Sequence, residues 1–205
     1  MINNLELIKP LLKFESKDDF YYLQILKRKK DQSEEEKVLG RNNNARTIKN
    51  YYISSITYLE EKMPEIIKLC EVFNARASII LNKRSYRNTA FKTLEKIAGT
   101  MANGDYSHIK TTYSKACGVT HSAKKEKTWI VDIDDWIGSV DQCEELNDMK
   151  EFINGLQPQG NKIITTLPTK SGIHLITSPF NVMEFRKKYN SVDLHRDNPV
   201  NLYIP

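Results

Sequence analysis

No run in the 205-residue sequence approaches the ~20 apolar residues of a membrane-spanning helix, so no membrane partner is expected. Cysteine is scarce. Cys70, Cys117 and Cys143 are odd in number and far apart, which reads as reduced cytosolic thiols and not as a disulfide framework. The absence of a CxxC pair or a Cys/His cluster argues against a structural zinc site. Repeats and low-complexity tracts are missing, which disfavours solenoids and linkers. A Walker loop, GxGxxG and GxSxG are also missing, which disfavours P-loop ATPases, Rossmann oxidoreductases and α/β-hydrolases. Acids and lysines interrupt the apolar stretch of the opening MINNLELIKPLLKF. It is therefore not expected to act as a signal peptide, and a cytoplasmic location is expected.

What is present fits a soluble globular chain, 40% hydrophobic and 28% charged. A single domain over 1–205 is expected, with an α/β part at 1–75 and a core at 76–205. The net charge of +5 is unevenly spread. Residues 1–131 hold 24 Lys and Arg against 15 Asp and Glu, while residues 132–205 hold 7 against 11. A basic front and an acidic back suit a protein that grips a polyanion with one part and cations with the other. A mixed solvated surface is the competing explanation.

Periodicity predicts a helix over 2–13 and strands at Phe20–Lys30 and Tyr51–Ile56, separated by a polar loop or exposed hairpin over 31–46. A helix over 59–74 follows, with Pro64 in its first turn or at a kink. Ala77–Leu81 predicts a buried strand that empties into a basic loop, NKRSYRNT. Thr89 is the expected cap of a helix burying Phe91, Leu94, Ile97 and Met101 and ending at Gly104. Residues 106–119 are ambiguous between helix and loop. Trp129–Asp134 is the clearest strand, followed by a helix over 141–156. Two strands then flank the turn PTKSG as a hairpin. A short helix at Val182–Lys188 and two extended pieces, SVDLH and VNLYIP, complete the pattern. The expected class is α+β: a mixed sheet flanked by helices, with a strand-helix-hairpin-helix-strand second half that reads as a split βαβ, RRM-like unit.

Four groups of residues could carry chemistry. Asp132 and Asp134, two apart on a strand, leave the same face while Val131 and Ile133 leave the other. Paired carboxylates repel unless a cation such as Mg²⁺ or Mn²⁺ lies between them; alone, the pair reads equally as acids at a strand end. Lys170, Ser171, Gly172 and His174 cluster at the hairpin turn, where glycine permits close backbone approach and the other groups could hold a triphosphate. Asp197 precedes the last strand, with Asp193 as its competitor. Lys83, Arg84, Tyr86 and Arg87 form a basic, aromatic stretch that could grip phosphates and stack on a base; a solvated loop is the equal alternative.

The order of these motifs resembles the archaeo-eukaryotic primase superfamily, the primase-polymerases, over roughly residues 76–205. Trp129-Ile130-Val131-Asp132-Ile133-Asp134 is similar to its hhhDhD strand. Ser171-Gly172-Ile173-His174 is similar to its sxH hairpin motif, and Asp197-Asn198-Pro199-Val200 to its later single acid. The resemblance implies a DNA primase or polymerase that takes part in DNA replication. Asp132, Asp134 and Asp197 would be its metal-binding carboxylates for Mg²⁺ or Mn²⁺. Ser171 and His174, joined by Lys170, would contact the phosphates of a nucleoside triphosphate. The implied partners are a single-stranded nucleic acid template and a helicase or other replication protein. A catalytically inactive nucleic-acid-binding module on the same fold is the first alternative. A DxD nucleotide-sugar glycosyltransferase is the second.

Overall fold

The computed structural model describes residues 1–32, 45–120 and 127–205. Among them the class is α+β, with six helices and two antiparallel sheets. The first sheet contains β1 (Ile2–Asn3), β2 (Asp19–Lys27), β3 (Arg46–Ile53), β4 (Arg76–Ile80), β5 (Arg84–Ser85) and β10 (Pro199–Ile204). Its order is β1-β10-β4-β2-β3, with β5 pairing to β2. The second contains β6 (Trp129–Asp134), β7 (Ile163–Pro168), β8 (Gly172–Thr177) and β9 (Asp193–His195), in the order β7-β8-β6-β9. Every pairing is antiparallel, where one mixed sheet was expected. The second half does follow the split βαβ order, with α5 (Val140–Gly155) and α6 (Val182–Lys188) as its two helices.

Helix α2 (Ile56–Phe73) begins at Ser55, whose side chain accepts from the N–H of Tyr58. Its Leu59, Met63, Ile66 and Cys70 recur at helical spacing and are buried against Tyr21, Leu23 and Ile25 of β2. Pro64 lies in the helix interior, not its first turn, because the Ser55 cap starts the helix earlier than the apolar pattern suggests. The second sheet packs Val131 and Leu175 on Leu146, Met149 and Ile153 of α5 and on Phe185 of α6. Its other face sends Ile130, Leu167 and Ile176 into the core of the first sheet, so the two sheets share one interior. The expected helix over 2–13 is β1, α1 (Leu5–Ile8) and a 3₁₀ turn at Lys9–Leu11. Part of the polar stretch over 31–46 lies outside the described residues.

The expected burial on α3 (Tyr86–Ala102) is reversed. Phe91, Leu94 and Met101 are exposed, at 62%, 63% and 48%. Ser85, not Thr89, is the cap, accepting from the N–H of Asn88. Thr89 faces inward and shares a 2.9 Å hydrogen bond with Thr120, just beyond α4 (Thr112–Val119). Tyr86 stacks on Phe20 at 4.4 Å. These two contacts fix the rotation of the helix and turn its apolar stripe to solvent. No described helix is long and apolar enough to cross a membrane.

Candidate functional site

Strand register builds the site. Across β6 and β8, Asp132 is opposite His174 and Asp134 is opposite Gly172. Across β6 and β9, Asp132 is opposite Asp193 and Ile130 is opposite His195. Opposed residues share a face, so the carboxylates and both imidazoles leave the side of β6 that Val131 does not use. His174 Nε2 is 3.3 Å from Asp132 Oδ1, and His195 Nε2 is 3.8 Å from Oδ2. The imidazole of His174 holds the Asp132 carboxyl below the usual carboxylate range, against the opposing effect of burial. His174 Nδ1 is buried and has no hydrogen-bond partner among the described residues.

Asp132, Asp134, Lys170, Ser171 and His174 line one cleft of about 250 Å³, although some 40 residues separate the two motifs. The end of β6 is fixed by Gln142, which accepts from the N–H groups of Ile137 and Gly138 and donates to the carbonyl of Asp135. Gly172 is required by the sheet itself: a Cβ there would lie 2.1 Å from the carbonyl oxygen of Ile133. The close approach expected of this glycine is therefore made to β6.

Asp197 and Asp193 separate. Asp197 Oδ2 accepts from the guanidinium of Arg84 at 2.7 Å, and Oδ1 accepts from Asn82 Nδ2 at 2.9 Å. Neither aspartate is among the residues that line the cleft. Asp193 is exposed on the strand beside Asp132.

The basic stretch is not a solvated loop. Arg84 pairs with Phe20 in the β5–β2 ladder and is fully buried against Asp197. Lys83 is engaged by Asp19 at 3.0 Å and by Glu15 at 3.5 Å. Tyr86 is half-buried, and Arg87 alone of the four is open to solvent, over the ring of Phe91. The reason lies in tertiary packing: both residues of the two-residue strand β5 are buried, and Arg84 is met there by the carboxylate of Asp197.

Three basic side chains that line the cleft were missed in the sequence: Arg28, Arg76 and His195. His195 could have been found, since it lies two residues beyond Asp193 in an extended segment and shares its face. Arg28 was hidden in the run KRKK, which reads as a strand entering solvent. Arg76 opens a strand whose other residues are buried.

Among the described residues no three His, Cys, Asp or Glu side chains are grouped to hold a metal ion. The donors that are present, Asp132 and Asp134 on one face, fit Mg²⁺ or Mn²⁺ held by one or two carboxylates with phosphate oxygens completing the shell. No family model, curated protein or solved structure matches the chain.

Proposed function

We propose that the chain is a template-directed nucleotidyltransferase of the primase-polymerase type, working in the cytoplasm on a nucleoside triphosphate and a single-stranded template. The observation that carries this reading is the meeting of Asp132, Asp134, Lys170, Ser171 and His174 in one cleft. The motif order is supportive: carboxylates on one strand, and a serine and histidine on the strand next to it.

Asp132 and Asp134 would hold divalent metal, and Asp193 stands closer to them in register than Asp197 does. When bound, the metal would neutralise phosphate charge and lower the pKa of the attacking hydroxyl. Ser171, Lys170 and His174 would orient the triphosphate so that a 3′-oxygen attacks the α-phosphorus. A new P–O bond forms, the bond to the β-phosphate breaks, and pyrophosphate leaves with the released charge. His174 would serve as a phosphate ligand, and His195 would steady the far oxygen of Asp132.

The second reading is an inactive nucleic-acid-binding module, favoured by the lack of a three-ligand metal grouping among the described residues. One assay separates the two. The chain is incubated with primed and unprimed single-stranded template, labelled nucleotides and Mn²⁺. Extension that is lost in Asp132→Asn supports the enzyme. Template binding without incorporation, unaffected by metal, supports the module.

A further inference from the structure

The cleft wall facing Asp132 and Asp134 carries two guanidinium groups. Arg28 follows β2 and Arg76 opens β4, and both line the cavity together with Lys170. Their surroundings differ. Arg76 is buried, and its charge is met by the equally buried Asp31. Lys170 Nζ lies 3.9 Å from the same carboxylate. Arg28 is half-buried and has no ion-pair partner among the described residues.

Burial and the neighbouring positive charge of Arg76 both disfavour the charged form of Arg28, and Asp31 and Asp132 offset this only in part. A partly desolvated cation beside a like charge is costly unless an anion joins it. The guanidinium fork matches phosphate oxygens in pairs, which an ammonium cannot do. The volume of about 250 Å³ is below the ~300 Å³ at which whole-ligand pockets begin, and it suits a phosphate chain better than a complete nucleotide.

We propose that Arg28 and Arg76 on this wall, with Lys170 reaching across from the β7–β8 turn, form a polyphosphate subsite, and that Arg28 is its principal grip. That the bound chain is the tail of a nucleoside triphosphate rests on the nucleotidyltransferase reading; the anion site does not. The two walls then divide the work. Acids hold cations on one side, arginines hold phosphates on the other, and a metal–polyphosphate complex bridges them.

Inorganic tripolyphosphate is the probe, titrated calorimetrically at fixed ionic strength with sulfate as the control anion. Arg28→Met keeps the apolar stem and removes the charge, Arg28→Lys keeps the charge without the fork, and Lys68→Ala on α2 is the surface control. Affinity should fall about tenfold or more in Arg28→Met, the scale of one lost charge-assisted contact. It should be partly restored in Arg28→Lys and unchanged in Lys68→Ala. Equal affinity in Arg28→Met and wild type, or no binding beyond that of sulfate, overturns the subsite. Primer extension run in parallel separates the two ideas. Arg28-dependent tripolyphosphate binding without any incorporation sinks the polymerase reading and leaves the subsite standing. Incorporation by wild type that Arg28→Met leaves unchanged does the reverse.

Discussion

Arg84, a side chain with no exposed surface, donates to Asp197 at 2.7 Å, tying β5 to the connection between β9 and β10. Asn82 reinforces the joint, donating to the carbonyls of Thr128 and Arg196 and accepting from the N–H of Thr128. Asp197 therefore has a structural task whatever its chemistry. Asp197→Ala should cost on the order of 3 kcal/mol, because it takes a carboxylate away from a buried guanidinium. Urea unfolding of the metal-free protein measures this. A loss confined to metal-dependent activity, with an unchanged unfolding midpoint, would return Asp197 to a ligand role.

Gly172→Ala should be severely disruptive for a one-carbon change. The obstacle is the Ile133 carbonyl, which is backbone and cannot swing aside. Relief requires β6 and β8 to part where Asp134 faces Gly172, two residues from the Asp132–His174 pair. A penalty of about 1–3 kcal/mol is expected from overpacking. Thermal unfolding would register it, and polyphosphate affinity should fall with it.

The three thiols should react unequally. Burial pushes Cys70 and Cys117 up to about 12, and Cys143 is exposed. At pH 8 an aromatic disulfide reagent should modify one thiol rapidly in the folded protein and three in denaturant. Mass spectrometry identifying any residue but Cys143 in the native sample would contradict the packing of α2 and α4.

Acid should loosen the protein through Asp132. Its carboxyl is held below the usual range near 4, chiefly by His174. The stability this contributes is complete above the unfolded pKa and is lost as pH falls through the lower folded value. Unfolding midpoints measured from pH 6 to pH 3 without metal should decline less steeply in His174→Asn than in wild type. Parallel curves would show that the contact does not survive in solution.

Substitutions on the outer face of α3 should be mild. Phe91→Ser and Leu94→Ser each remove an exposed side chain, and changes within about 0.5 kcal/mol are expected. A loss several times larger by denaturant titration would mean that this face is covered in solution.

The parts of the fold legible in sequence were those fixed by local signals. Trp129–Asp134 opens on an apolar, β-branched run and is a strand over those bounds, and Val182–Lys188 is a helix as expected. The face-sharing of Asp132 and Asp134 followed from strand geometry alone. The convergence of His174 with them needed the β6–β8 register, a pairing set 42 residues apart that no local pattern encodes. α3 misled because its apolar stripe is genuine but points outward, and two contacts from other elements decide its rotation. The stretch from Lys83 to Arg87 misled because composition cannot separate a solvated arginine from one buried on an aspartate 113 residues away.

Strand β10 lies between β1 and β4, with Ile2 opposite Ile204 and Val200 opposite Ile79. On a ribosome, β1 would emerge long before β10, the neighbour it pairs with. Meanwhile β2, β3 and β4 can pair with one another and leave the edge of β4 bare. Bare edges invite pairing with other chains. The same late strand brings Pro199 and Asn201 to the cleft. A nascent chain lacking β10 would therefore hold a half-built sheet and an unfinished cleft, and the cleft would close only when β10 is inserted.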